Sequence, residues 1–246
     1  MLSKIKSMSL EGLTGYLVEI QSDVSGGLPN FEIVGLPDVR VKEAKERVKT
    51  AIKNSGIEFP SRKIIVNLAP ADIRKEGTFF DLPIAIGILM AFKEISKIKI
   101  KNFESTIFLG ELSLDGKINR VNGVLPMCIE ALELGIKRVV LPKENAIEAS
   151  IIKDLEIIPV EDLLDAIEYI TGNLEIPSYV SKENINLSPT QNYEFDFSDV
   201  KGQENAKRAL EIAATGSHNC LLCRCTRFGK KLIIRKNSYN FTRFNI

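Results

Sequence analysis

The sequence has no tryptophan, one histidine, four cysteines and no long hydrophobic run. Its longest nearly apolar stretch, Leu82 to Phe92, is shorter than the roughly 20 residues that a membrane-spanning helix needs. The first twelve residues contain no apolar signal core. We therefore expect neither export nor membrane insertion, and a buried core helix over Leu82–Phe92.

The sequence also has almost no excess of positive over negative charge, because its 33 Lys and Arg are balanced by 32 Asp and Glu. This balance argues against the overall basic surface that is typical of nucleic-acid-binding proteins. The distribution is uneven, since residues 224–246 carry seven basic side chains and no acidic ones, and residues 1–223 carry a net charge of −6. Three of the cysteines lie beside this basic tail, unlike the dispersed pairs of a secreted disulfide framework. We expect a cytoplasmic, reducing environment.

Apolar periodicity predicts strands and helices over the first 172 residues. Loose alternation over residues 2–10 and 13–21 is typical of a hairpin, and Asp115-Gly116 is expected to turn a second hairpin at 112–117. Further strands are expected at 31–34, 63–68, 106–109, 138–141 and 156–160. Helices are expected at 38–55, 82–93, 121–134, 143–153, 161–171 and 203–215.

Strands followed by βα units predict a mixed α/β or α+β domain over residues 1–172. Residues 173–194 are polar and rich in Asn and Ser, which predicts a linker. Residues 195–223 begin a second module, and residues 224–246 form the basic tail.

The most distinctive motif spans residues 66–85 and reads VNLAPADIRKEGTFFDLPIA. A structural role accounts for it: Asp81 would cap the buried helix, and Pro83 suits the first turn. A functional interpretation also stays open, in which a surface loop contacts a partner or a neighbouring subunit. The side chains of this partner loop are Asp72, Arg74, Lys75 and Glu76.

Three long stretches carry a family resemblance, which extends over nearly all of residues 1–222. They read GLPNFEIVGLPDVRVKEAKERVKTAIKNSG, GELSLDGKINRVNGVLPMCIEALELGIKRVVLPKEN and DFSDVKGQENAKRALEIAATGSHN. They closely resemble the ComM/YifB group of bacterial Mg-chelatase-like AAA+ proteins. The resemblance implies a first domain with the Lon-protease-like, ribosomal-protein-type β-α fold, followed by a Mg-chelatase ChlI-like AAA+ module.

For the intact family, the resemblance implies a homo-oligomeric ring that uses ATP and Mg²⁺. It also implies ATP-driven DNA remodelling, namely branch migration during natural transformation. Mg-chelatase activity itself is not expected, because that likeness lies in the motor half.

Peptidase activity needs a serine activated by a neutral lysine. The Lon serine lies in Asp-Gly-Pro-Ser-Ala, and the corresponding stretch Asp81–Ala85 places Ile84 at the serine position. The Lon lysine follows Gly-Gly-Leu, and Asn122–Leu125 places Leu125 at that position. Neither hydrocarbon side chain can attack a carbonyl or carry a proton, so we expect no peptidase.

The nucleotide-binding loop of this AAA+ branch reads Gly-x-x-Gly-x-Gly-Lys-Ser/Thr, in which backbone N–H groups wrap the phosphates and the hydroxyl holds Mg²⁺. Aligning Gly229 and Lys230 with it puts Arg224 and Arg227 on glycine positions and Lys231 on the hydroxyl position. Side chains there would crowd the phosphate-binding backbone. We therefore interpret Gly229 and Lys230 as a degenerate relic and expect no cofactor in this chain.

The sequence after this loop predicts a truncated module. Fifteen residues follow Lys231, without an acidic Walker-B strand, a sensor or an arginine finger. A degraded or frame-altered coding end would explain this composition. We predict the N-terminal part of a ComM/YifB-like ATPase that is inactive alone. Two alternatives stay open: a stand-alone interaction domain that binds family members or DNA, and a residual ATP-binding protein.

Two further clusters have unremarkable explanations. His218, Cys220, Cys223 and Cys225 offer four soft ligands in one short segment, whereas zinc sites commonly use separated pairs, so no metal is expected. The tail aromatics Tyr239, Phe241 and Phe244 can stack on bases, but unselected composition explains them as well. The mixed-charge face of the helix at 40–53 predicts a solvated surface, with DNA or a ring neighbour as the alternative. That face carries Lys42, Lys45, Glu46, Lys49 and Lys53.

Overall fold

The computed structural model of the chain describes residues 2–95, 98–180, 197, 200–216, 218 and 220. Contacts between Cα atoms divide the chain into two units, Met1–Glu183 and Asn184–Ile246. The first unit contains the sheet and most of the helices, and the second contains one described helix.

A seven-stranded mixed sheet is the centre of the first unit, in the order β3-β4-β2-β1-β5-β8-β9. The pairs β1–β2 and β2–β4 are antiparallel, and the other four pairs are parallel. The strands are β1 Leu2–Glu11, β2 Thr14–Ser25, β3 Asn30–Val34, β4 Lys63–Ala69, β5 Thr106–Phe108, β8 Arg138–Pro142 and β9 Glu156–Val160. A separate two-stranded hairpin is formed by β6 Glu111–Leu112 and β7 Ile118–Asn119.

Helices cover both faces of this sheet. Ser3 of β1 donates a hydrogen bond to the Gly87 carbonyl of α2, and Met8, which points to the opposite face, lies on the side of α3. The helices are α1 Val39–Asn54, α2 Asp81–Phe92, α3 Val124–Glu133, α4 Ala146–Ala149, α5 Leu163–Thr171 and α6 Glu204–Thr215. α6 belongs to the second unit.

α2 is the central core helix, and its apolar side chains are buried on nearly every side. A helix that is hydrophobic all round needs partners on several faces. α2 has them, because it packs against β1, β2 and α1. The hydrophobic run of the sequence is therefore a core element, as predicted.

The strand and hairpin predictions agree with the structure to within a few residues. The first hairpin pairs from Leu2 with Asp23 to Glu11 with Thr14, and Gly116 turns the second hairpin at a φ of 90°. The helix predicted at 143–153 is wrong: a 3₁₀ turn over Lys143–Asn145 leads into the four-residue α4. The Asn145 side chain is used elsewhere, as described below.

The first residues of the predicted linker pack against the body. The Tyr179 N–H donates to the Ile157 carbonyl (2.8 Å), and the Ser178 hydroxyl accepts from the Ile157 N–H (3.1 Å). Ile176 and Tyr179 also contact the core. Residues 176–179 therefore cover the outer side of β9.

No helix among the described residues is both long and apolar enough to cross a membrane.

Candidate functional site

The position that the resemblance assigns to a Lon serine lies inside the core. Ile84 is in the first turn of α2 and has no exposed surface. Pro83 is also in this turn, where its missing N–H leaves no hydrogen bond unmade. The first turn of α2 therefore presents hydrocarbon at the place where a nucleophile would be required.

Asp81 is the first residue of α2, and the prediction that it caps the helix is wrong. The preceding residue, Phe80, occupies the cap position, which has no side-chain hydrogen bond. The Asp81 carboxylate instead accepts from Arg47 Nε (2.7 Å) and Nη2 (3.1 Å). It also accepts from the Leu112 N–H (3.2 Å). A single buried carboxylate thus joins α1, α2 and the small hairpin.

Burial and pairing shift the pKa of Asp81 in opposite directions. Its side chain is 1% exposed, whereas that of Arg47 is 21% exposed. Desolvation raises the pKa of Asp81 to about 6, against the lowering effect of the guanidinium, and the same pair raises the pKa of Arg47. The carboxylate is fully engaged by protein donors, so its geometry fits a structural role.

The second dyad position, Leu125, lies in the first turn of α3. Its side chain is partly buried, and its backbone N–H donates to Glu148 Oε1 (3.1 Å). Asn145 is fully buried and bonds both to Glu148 Oε2 (3.3 Å) and to the backbone of Val121, accepting from the N–H (2.9 Å) and donating to the carbonyl (2.8 Å). These contacts fix the segment that precedes α3. Position 125 itself is a leucine, so it offers no amine to accept a proton.

The partner loop is only partly a surface loop. Asp72, Arg74 and Glu76 are exposed, but Lys75 has no exposed surface, which corrects the expectation of four surface side chains. The Lys75 N–H donates to the Leu36 carbonyl (3.1 Å), and its carbonyl accepts from the Asp38 N–H (3.0 Å).

The Lys75 ammonium group is bonded to its own loop. Nζ donates to the Ile73 carbonyl at 2.7 Å. Burial lowers the pKa of Lys75, opposed by the charge of Asp72. Lys75 therefore anchors the loop to the entry of α1, and Arg74 and Glu76 form the outward-facing part.

An exposed apolar patch adjoins the outward-facing side chains. Leu36 and Val39 are 53% and 68% exposed, and they line a shallow cavity of about 260 Å³ together with Lys42 and Arg74. Leu36 has a φ of 56°, which is unusual for a branched side chain. We call Leu36, Val39, Lys42 and Arg74 the loop patch.

Two important residues were missed at the level of sequence. Arg47 follows Ala44 by three residues and precedes Ala51 by four, which places it on the buried face of α1. That spacing was a usable signal for a buried ion pair. Asn145 had no such signal, because its partners at Val121 and Glu148 depend on the tertiary fold.

The predicted nucleotide relic lies outside the described residues. This applies to Gly229 and Lys230, and to Cys223 and Cys225 of the soft-ligand cluster. Within the described part of the chain, no three His, Cys, Asp or Glu side chains form a group that could hold a metal ion. The interpretation of both segments stays a prediction.

Two family models match the chain. The model described as "Subunit ChlI of Mg-chelatase" matches residues 20–145, and "Magnesium chelatase, subunit ChlI" matches residues 196–240. The first match includes α1, the partner loop, α2 and the first turn of α3.

Curated relatives of the ComM and YifB type match over almost the whole chain, and a Lon protease matches over about half of it. Competence protein ComM of Haemophilus influenzae is 39% identical over 235 residues, which are 94% of this chain and 45% of the relative. The uncharacterized protein YifB of Escherichia coli is 35% identical over 232 residues, which are 94% of this chain and 44% of YifB. Lon protease 2 of Bacillus subtilis is 31% identical over 135 residues, 54% of this chain and 23% of the protease. The chain spans less than half the length of ComM and YifB.

Proposed function

The chain belongs to the Mg-chelatase-like family of ComM and YifB, and from this premise we propose that its body is a Lon-type accessory domain without peptidase chemistry. The parent assembly would be a ring-forming AAA+ ATPase that remodels DNA during competence. The name of the Haemophilus relative and the match to Lon protease 2 support this proposal.

One observation carries the loss of peptidase chemistry. Ile84 is fully buried in α2, and Leu125 is held through its backbone in α3. A Ser–Lys mechanism needs a hydroxyl to attack and an amine to accept the proton. Two hydrocarbon side chains supply neither group.

We further propose that this chain does not turn over ATP. Phosphate binding by a glycine-rich loop depends on close approach of the backbone, and Mg²⁺ needs an oxygen ligand. Arg224 and Arg227 stand where the family pattern has glycine, and Lys231 stands at the hydroxyl position. Gly229 and Lys230 would then have no catalytic role.

A role as an interaction domain is the second candidate, and the loop patch favours it. Leu36 and Val39 expose hydrocarbon beside Arg74, although Leu36 must adopt a left-handed backbone to do so. Strained, exposed positions of this kind are common at functional surfaces. The partner would be a family member in the same ring.

Analytical ultracentrifugation with and without full-length ComM tests the accessory role. The proposal predicts co-sedimentation of the chain with ComM, which Val39→Asp weakens at least about tenfold. Ile151→Asp, an exposed apolar position away from the loop patch, is the control and should bind normally. Independent sedimentation would remove the interaction role.

ATP turnover is measured on the same samples in Mg²⁺. The chain alone should show background turnover that Lys230→Ala does not change. Turnover that is lost in Lys230→Ala would contradict the degenerate nucleotide site.

A further inference from the structure

A second cavity, of about 450 Å³, lies between α1 and the segment that leads into β4. It is next to β3, which is an edge strand of the seven-stranded sheet. We call it the basic groove, and the side chains that matter here are Lys45, Lys49, Lys53, Arg62, Phe31 and Phe59.

The charge of the groove is strongly one-sided. Lys45, Lys49 and Lys53 follow one another at intervals of four residues, so they lie in a row along one face of α1. Arg62 adds a fourth cation from the opposite wall, and Glu46 is the one acidic residue of the lining. None of the four cations has an ion pair within the described part of the chain.

Repulsion within this lysine row lowers the stability of α1. Like charges at intervals of four residues repel one another, and Glu46, three residues before Lys49, is a single carboxylate beside three lysines. The helix rises 1.5 Å per residue, so the three lysines span about 12 Å. A row of this length suits consecutive negative charges on one flexible chain.

Aromatic rings line the same groove. The ring centroids of Phe31 and Phe59 are 6.1 Å apart and the rings are tilted by 41°, and both side chains are partly exposed. The Arg62 guanidinium lies 5.7 Å from the centroid of Phe92, which holds the cation at the wall of the groove. The groove thus brings two partly exposed aromatic rings and four cations together.

We propose that the basic groove binds single-stranded nucleic acid. The lysine row and Arg62 contact consecutive phosphates, and unpaired bases stack on Phe31 and Phe59. A peptide of Asp and Glu alone would satisfy the cations but has no planar rings for the aromatic faces. The choice of ligand rests on the proposed role in DNA remodelling, whereas the site itself rests on charge and shape.

Fluorescence anisotropy with a labelled oligothymidylate of about 20 nucleotides tests the groove in the full chain. The double variant Lys45→Gln/Lys49→Gln keeps good helix formers and removes two cations. The loss of two phosphate contacts should make the plot of log association constant against log salt concentration less steep by about 1.4. It should also weaken binding at least about tenfold near 0.1 M salt. Phe59→Leu should weaken binding about fivefold or more, through lost stacking.

The matched control is Lys101→Gln/Lys153→Gln, which removes the same charge from exposed positions outside the groove. It should bind like the wild type. Circular dichroism and thermal unfolding confirm that each variant is folded.

Three results would overturn the proposal. The first is equal weakening in the groove and control variants, which would indicate nonspecific attraction. The second is binding that none of these variants changes, which would place the nucleic acid on the basic tail at 224–246. The third is equally tight binding of polyglutamate, unaffected by Phe59→Leu. Since ATP turnover and co-sedimentation are measured without DNA, failure here is distinguishable from failure of the accessory role.

Discussion

The Arg47–Asp81 pair is, at the scale of single residues, the buried charge pair that joins α1 to α2. A buried carboxylate that loses its partner is strongly destabilising, commonly by about 3–5 kcal/mol. Arg47→Met should therefore lower the free energy of unfolding by about this amount near pH 8. Arg40→Met, which removes a charge from the exposed side of the same helix, should change it little.

The pH dependence of this loss follows from the raised pKa of Asp81. In the wild type the folded pKa of Asp81 is about 6, above its ordinary value of 3.8, so between these pH values the folded state holds a proton that the unfolded state has lost. Asp81 therefore stabilises less as the pH rises from about 4 to about 6. Without Arg47 the folded pKa of Asp81 rises further. The stability that Arg47→Met loses relative to the wild type should therefore be smaller near about pH 5 and larger towards about pH 8. Urea unfolding at both values measures this, and a deficit independent of pH would contradict the pairing.

Gly35 is a second position where one residue decides whether the chain fits. Its φ is 97°, and a Cβ would lie 2.3 Å from the Leu68 carbonyl oxygen. Gly35→Ala should cost about 3 kcal/mol, since strain and a backbone clash add. Gly12→Ala is the matched control, with a φ of 63° but open space, and should cost only about 1 kcal/mol. Equal costs by urea unfolding would show that the Leu68 contact does not matter.

At the scale of elements, the partner loop and the start of α1 form one unit through Lys75. Burying an ammonium group with a single hydrogen-bond acceptor is costly, and an apolar side chain of similar length avoids that cost. Lys75→Met should keep or raise the stability at neutral pH, while both backbone bonds to Leu36 and Asp38 remain.

The pH dependence of unfolding tests whether the buried Lys75 ammonium group destabilises the fold. The pKa of Lys75 is lowered in the folded state, so the unfolded state binds more protons, and wild-type stability rises as the pH approaches the ordinary lysine value of 10.5. The advantage of Lys75→Met should thus diminish between about pH 7 and about pH 10. Arg74→Met, at an exposed position of the same loop, should show no such trend. A constant advantage would mean that the ammonium group is solvated.

How well the elements could be predicted depended on whether local pattern or tertiary contacts controlled them. The stripe Val41, Ala44, Val48, Ala51 and Ile52 fixed α1 from its spacing alone. The helix at 143–153 was mispredicted because Asn145 bonds to Val121, 24 residues away, and interrupts it. Asp81 was assigned to a cap for a related reason: its partner Arg47 is 34 residues away.

The candidate site was predicted unevenly for the same reason. Ile84 and Leu125 could be placed from their flanking motifs, and the structure puts them in the first turns of α2 and α3. The burial of Lys75 and the basic groove needed the packing of distant segments. Phe31 and Phe59, for example, meet only because β3 and the segment before β4 lie side by side.

At the scale of the whole molecule, an ordered scaffold surrounds two positions, Ile84 and Leu125, that have no reactive side chain. A mixed sheet of seven strands, covered by helices on both faces, is intact in the described residues. The two positions on which Lon-type hydrolysis would depend carry hydrocarbon. Selection for the fold without the dyad is expected if the domain assembles with partners and guides a substrate, as the loop patch and the basic groove suggest.

Cleavage of fluorescent casein by the purified chain, with Lon protease 2 as the positive control, is the sharpest test of the proposal that the domain has no peptidase chemistry. We expect release of fluorescence no faster than from casein alone, at every pH between about 6 and about 9. A casein-cleaving activity that co-elutes with the folded chain on size exclusion, and that is lost when the chain is unfolded, would contradict this proposal. Ile84 and Leu125 provide no group for that reaction.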